Sequence, residues 1–278
     1  MKMETRVVRM LERSESSDDT TNVRMLERSE SSDNTTKRAR VTAMVCTATG
    51  LAAMIVAPLA RSAPSLPGRP AADRDDPAIV YPPRRSGDEP KPVVVLLHGL
   101  CGHPESACAP FVGASTAHGW LVCPRGEDPC GGGSRWRLRP DEDSRVVESS
   151  VARVVEEAHG NVAASSGRVI VGFSLGGIAA VRIVESAREG YGRYAGLVVI
   201  ASQVHPDPVL LARAGVRRVV LAAGDLDMTS APLRTDAAAL DRAGVPTRFV
   251  SLGRFGHGYP ADMAERMEEP MSWVAGGD

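Results

Sequence analysis

Residues 171–181 read VGFSLGGIAAV, and what precedes and follows them decides the fold. The run into them, RVIVGF (168–173), is short, rich in branched residues and nearly uninterrupted, as suits a strand buried on both faces of a parallel sheet. Beyond Ser174 the small residues continue at helical spacing over Ile178–Arg188. Gly172, Ser174 and Gly176 form G-x-S-x-G, the pattern of a sharp strand-to-helix turn that lifts a serine hydroxyl above a sheet. Glycine removes the side chains that would clash there. An ordinary serine at a tight junction satisfies the same letters, so a base, an acid and an oxyanion site must be found elsewhere in the chain.

Similar apolar runs recur at VVVLL (93–97), WLVC (120–123), GLVVIA (196–201), RVVLAA (218–223) and TRFVSL (247–252), with IVY (79–81) as a first short strand. Between them lie helix-compatible segments. Asp143–His159 places Val146, Val147, Val151, Val154 and Val155 on one stripe, and Pro232–Ala243 and Tyr259–Ala275 complete the set. Strands alternating with helices predict one α/β domain over 93–278, a doubly wound, mostly parallel sheet with helices on both faces. No inserted segment is long enough for a lid domain. Ligands in such sheets sit at the carboxyl ends of the strands.

Four strand ends carry chemistry. HGLCG (98–102) follows the first strong strand, Ser174 follows the third, GDLD (224–227) follows RVVLAA, and GRFGHG with His257 follows the last. Flanking glycines suit a loop that brings the His257 ring over a serine, where it would act as general base. Asp225 and Asp227 are both placed to serve as the acid. His98 is expected to bond backbone in its turn, whereas His103, His118, His159 and His205 lack a partner pattern. The order Ser, Asp, His differs from the orders of the chymotrypsin and subtilisin types.

In this ordered combination the chain resembles the α/β-hydrolase superfamily. It is most similar to the phospholipase/carboxylesterase branch that includes the acyl-protein thioesterases. The resemblance runs from about Val93 to the C-terminus. It rests on LLHGLCG, on CPRG followed by a GGG and Trp136, and on GFSLGG, GDLD and FGHG. It implies Ser174 as nucleophile, His257 as base and Asp227, three residues after the glycine, as acid. Asp225 then shapes the loop. The oxyanion would be met by the backbone N–H groups of Leu100 and Leu175, the second aided by the helix dipole. The implied reaction is cleavage of a carboxylic ester through an acyl-enzyme, with no cofactor and no metal. A polyhydroxyalkanoate-type polyester, a thioester or a lactone could be cleaved by the same groups. A non-catalytic binding protein of this fold would be expected to lack one of them.

Composition narrows the partners. With 43% apolar residues and a net charge of −1, the chain has a core to bury and no basic excess for nucleic acid. The N-terminal part is different material. Residues 8–22, VRMLERSESSDDTTN, recur almost unchanged as 23–37. The repeat within 1–40 is too polar to fold alone, and reads as a disordered tail or a recent duplication, with Met25 and Met44 as alternative starts. KRAR (37–40) then precedes an apolar run over 41–60 and a small-residue exit at 60–62. Residues 41–62 therefore read as a signal peptide or an uncleaved membrane anchor, so the catalytic part is expected to be exported. Residues 63–92, rich in proline and arginine, read as a linker. Besides Cys46, the chain has Cys101, Cys108, Cys123 and Cys130, an even set that suits disulfides in an exported protein. Four cysteines allow three connectivities, of which the pairing of sequence neighbours, Cys101–Cys108 with Cys123–Cys130, is favoured. Six-residue gaps do not match the short pairs of zinc sites.

Overall fold

The computed structural model describes residues 78–84, 90–158, 162–163, 167–187 and 194–276. The tandem repeat, the apolar segment at 41–62 with Cys46, His159 and most of 63–92 lie outside these residues. Each apolar run predicted as a strand is one. The sheet is built from β1 (Ala78–Tyr81), β2 (Val93–Leu97), β3 (Trp120–Pro124), β6 (Arg168–Phe173), β7 (Tyr194–Ile200), β8 (Arg218–Ala223) and β9 (Thr247–Ser251). Their spatial order is β1-β3-β2-β6-β7-β8-β9. Only β1 runs antiparallel, against β3; the other pairs are parallel. Strand β1 lies inside 63–92, at the IVY run read as a first short strand, so that segment contributes the antiparallel edge strand of the sheet.

Alternation along each strand divides the core between two faces. Val93, Val95 and Leu97 of β2 pack with α3 (Pro140–Glu157), α4 (Leu175–Glu185), α5 (Pro208–Ala214) and α6 (Ser230–Arg242). Val94 and Leu96 point the other way, toward α1 (Pro104–Cys108), α2 (Val112–Thr116) and α7 (Met263–Val274). Helices thus cover both faces, as a doubly wound sheet requires. Pro140 at the start of α3 begins that helix three residues before the predicted Asp143, since proline suits a first turn whose N–H has no partner. Helix α7 begins at Met263 and not Tyr259, because Tyr259 is drawn down to pack edge-on against Phe111. Helix α5 was not anticipated. Asp207 caps it through the amides of Val209 and Leu210, and Gly215 ends it at φ 87°. Among the described residues no helix is long and apolar enough to cross a membrane.

One small element stands outside the main sheet. Strands β4 (Asp128–Cys130) and β5 (Gly133–Arg135) form an antiparallel hairpin joined by Gly131 and Gly132, both at positive φ. It folds back against the loop after β2.

Candidate active site

Ser174 occupies the turn between β6 and α4 with φ 52° and ψ −119°, a region a side chain enters only at a cost of ~1–3 kcal/mol. The surroundings hold it there. Its N–H donates to the Ile200 carbonyl at 2.9 Å, and its carbonyl accepts from the Gly177 N–H at 3.0 Å and the Ser202 hydroxyl at 2.5 Å. A Cβ on Gly176 would overlap the Leu97 and His98 carbonyls, so both the turn and its crossing over β2 need glycine there.

The structure brings Ser174, His257 and Asp227 into one line. His257 Nε2 lies 2.9 Å from Ser174 Oγ, and His257 Nδ1 lies 2.8 Å from Asp227 Oδ2. A carboxylate only accepts, so in the neutral ring Nδ1 carries the proton and Nε2 faces the hydroxyl as acceptor. The Asp227 side chain is fully buried, while that of His257 is 51% exposed. Burial alone would push the Asp227 carboxyl up. The Thr229 N–H (2.8 Å) and hydroxyl (2.9 Å) on Oδ1, with His257 on Oδ2, outweigh it and hold the group below the ordinary carboxylate range. Asp225 is turned away. It accepts from Arg234 at 3.0 Å and from the Ser251 hydroxyl at 2.7 Å, and its N–H donates to the Gly253 carbonyl.

Aromatic packing sets the position of the His257 ring. Phe173 lies against it with centroids 5.3 Å apart, and Tyr259 backs Phe173 at 4.6 Å. Phe173 also presses on the loop after β2, where a Cβ on Gly99 would sit 2.9 Å from its ring. Leu100 follows in that loop and Leu175 opens α4. Among the described residues neither of their amide N–H groups has an acceptor. The His98 ring bonds the Gly99 carbonyl, as its turn suggested, but it also meets Gly126 and Ser134. His205 pairs with Asp236 at 2.8 Å on the surface, a partner the pattern did not show.

All four described cysteines are bridged, with a different connectivity from the proximity pairing. The bonds are Cys101–Cys130 and Cys108–Cys123. Helix α1 intervenes between Cys101 and Cys108 and turns Cys108 inward, where it meets Cys123 on the underside of β3. Cys101 stays on the loop above and meets the hairpin.

Ser202, Thr229 and Phe173 were missed as site-building residues. Asp227-x-Thr229 is a local pattern by which a side chain and a following amide and hydroxyl bond each other, so Thr229 could have been found. Ser202 carries no such signal, since its partner lies 28 residues away in the chain.

No family model and no curated protein matches this chain. Solved structures do. An S-formylglutathione hydrolase from Staphylococcus aureus is 16% identical, with a TM-score of 0.52 over 71% of this chain and 92% of its own. A carboxylesterase from Bacillus cereus is 20% identical, with a TM-score of 0.51 over 71% and 93%. An esterase from Pyrobaculum calidifontis is 17% identical, with a TM-score of 0.52 over 71% and 80%. At such identities the likeness is one of architecture, and together with the mostly parallel sheet and its two helical layers it shows that this chain has the α/β-hydrolase fold.

Proposed function

We propose that the protein is a serine hydrolase that cleaves carboxylic esters through an acyl-enzyme. The observation that carries this reading is the unbroken line from Ser174 Oγ through His257 to the buried Asp227 carboxylate. Ser174 Oγ attacks the ester carbonyl carbon while His257 Nε2 takes its proton. The carbonyl oxygen becomes an oxyanion held by the Leu100 and Leu175 amides. Collapse breaks the bond to the alkoxy group, which leaves as the alcohol with the proton from His257. Water, deprotonated by the same nitrogen, then attacks the acyl carbon and releases the acid and Ser174. Asp227 keeps its charge throughout and stabilises the imidazolium. The names of the esterases similar in fold are consistent with this chemistry.

Full-length protein should be labelled by an alkyl fluorophosphonate and should hydrolyse p-nitrophenyl esters, and Ser174→Ala should abolish both. Labelling that survives Ser174→Ala would overturn the reading. Export is part of the same proposal, supported by the two bridges, which persist in oxidising compartments.

A second reading, in which the ester is part of an extended or polymeric apolar substrate, is favoured by the openness of the site. Leu100, Leu226, Met228 and Phe255 are all exposed, and they sit on the loops that carry the Leu100 amide, Asp227 and His257. Rates on an aliphatic polyester film and on p-nitrophenyl acetate, compared for Met228→Ser, separate the two: the polyester reading expects loss on the film alone.

A further inference from the structure

His98 directly follows β2, one residue before Gly99, and is 1% exposed. Both of its ring nitrogens are engaged by backbone groups whose roles cannot change. Nδ1 lies 2.8 Å from the Gly99 carbonyl oxygen, which only accepts, so Nδ1 carries a proton. Nε2 receives the Gly126 N–H at 3.1 Å, which only donates, so Nε2 carries none. The Ser134 hydroxyl, 3.0 Å from Nε2, can turn and donates as well. One neutral tautomer is therefore fixed. Burial, the largest effect on this ring, pushes its pKa down; Arg125 and His103 add to that, while the Gly99 carbonyl and Glu105 oppose it. Among the described residues, Arg125, His103 and Glu105 are the charged and titratable groups that act on it. Arg125 and Glu105 are paired with each other at 3.3 Å, and the Trp136 ring lies 5.2 Å away.

Gly126 and Ser134 belong to the segment 126–136, which contains the β4–β5 hairpin, and that segment grips the loop 98–102 at several further points. The Trp136 indole N–H donates to the His98 carbonyl at 2.9 Å. The Ser134 N–H donates to the Gly102 carbonyl at 3.1 Å. The Cys101–Cys130 bridge joins the two with a Cα separation of 4.7 Å. Gly133 lies so close that a Cβ would overlap the carbonyls of Cys101 and Gly102. Leu100 stands inside this grip, between positions clamped at 98 and at 101–102, with its amide free to meet an oxyanion.

We propose that His98 is a positioning residue: as the neutral Nδ1–H tautomer it latches the hairpin onto the loop after β2 and so fixes the Leu100 amide where the oxyanion forms. The inference rests on the ester-hydrolase reading above. A second proton on Nε2 would set N–H against N–H at Gly126 and open the latch. A donor that is preorganised contributes far more than one that must be ordered during the reaction. His98 thus acts on the reaction without touching substrate.

The test uses the full chain, with Ser134→Ala and His98→Gln. In the wild type, 15N shifts of the His98 ring should show a protonated Nδ1 and a bare Nε2 at pH 7. Ser134→Ala removes a donor that favours the neutral ring, so His98 should titrate at higher pH. Its kcat on p-nitrophenyl acetate should fall several-fold with KM nearly unchanged. Its affinity for an alkyl trifluoromethyl ketone, whose adduct places an oxyanion in the same position, should fall by the same factor. His98→Gln should lower both by about tenfold to a hundredfold, since outright loss of a donor removes ~10²–10³ in kcat. The opposite tautomer, a cationic ring at pH 7, or a Ser134→Ala protein with wild-type kcat and ketone affinity would overturn the proposal, even if His98→Gln does not fold. Wild type that no fluorophosphonate labels would instead sink the ester-hydrolase reading.

Discussion

The Ser202 hydroxyl donates to the Ser174 carbonyl across 2.5 Å, so the end of β7 holds both backbone polar groups of the strained turn. Between its two contact points, Ala201 itself sits at φ 49° and donates its N–H to the Ala222 carbonyl at 2.8 Å. The Ser174 carbonyl keeps its bond from Gly177 if Ser202 is lost. Ser202→Ala should therefore cost only about 1 kcal/mol of stability, the usual net value of one hydrogen bond. Its kcat should drop a few-fold, because the turn relaxes under the hydroxyl. Gly177→Ala should cost more, ~1–3 kcal/mol, since a Cβ there would overlap the Ser202 hydroxyl. Thermal denaturation and initial rates check both; an unchanged kcat in Ser202→Ala would remove the turn-holding role.

The two acids of GDLD should separate cleanly. Asp227→Asn puts an amide where Nδ1–H needs an acceptor and leaves the imidazolium unpaired, and the expected fall in kcat is ~10⁴. Asp225→Asn disturbs only the pair with Arg234 and the bond from Ser251, so activity should stay within a few-fold of wild type. The reverse ranking would move the acid to Asp225.

Thr229 makes the same site sensitive to acid. Because the Asp227 carboxyl is held below its unfolded value, the stability it contributes is present above that value, ~3.9, and lost as pH falls through the folded one. Thr229→Val removes the hydroxyl donor, which raises the folded pKa and shrinks the contribution. Its acid-unfolding midpoint should lie at higher pH than that of the wild type, read by circular dichroism between pH 2 and 6.

Most of this architecture was legible because its signals are local. Short apolar runs such as VVVLL and VIVGF suit strands covered on both faces, and the glycines around Ser174 and His257 mark the loops that follow two of them. The spatial meeting of Ser174, Asp227 and His257 could be expected because a parallel sheet brings successive strand ends to one edge. Contacts that depend on orientation across the chain were not legible. Cys108 lies nearer in sequence to Cys101 than to Cys123, yet a short helix turns it under the sheet. Likewise His98 looked like a residue of its own turn. Its bonds to Gly126 and Ser134 exist only once the hairpin folds back.

Asp143 carries a penalty that pH should reveal. It lies fully buried in the first turn of α3, with Oδ1 accepting the Arg137 N–H at 3.2 Å and Oδ2 without a partner among the described residues. Burial pushes its pKa up to about 6. A carboxyl raised above its unfolded value favours the folded state when protonated, so stability falls as pH rises from ~4 to about 6 and stays lower above it. Asp143→Asn should thus stabilise the protein at pH 8, by up to about 3 kcal/mol, and change little at pH 4. Urea unfolding at the two pH values decides; an equal effect at both would mean that the carboxyl is not held protonated.

The two bridges should respond differently to reductant. Cys108 and Cys123 are fully buried between α1 and β3, whereas Cys101 and Cys130 are half-buried at the surface. Exchange needs a thiolate to reach a sulfur, so native-state reduction should open Cys101–Cys130 first. Peptide mapping after alkylation should find label on Cys101 and Cys130 while Cys108 and Cys123 stay protected. Activity should fall in step with that label, because the loop bearing Leu100 loses one of its anchors before the core is touched. Only when the second bridge opens should melting drop sharply, since closing a loop of 15 residues contributes ~3 kcal/mol. Label appearing on all four cysteines together, or full activity after Cys101 and Cys130 are capped, would mean that the surface bridge does not tension the loop.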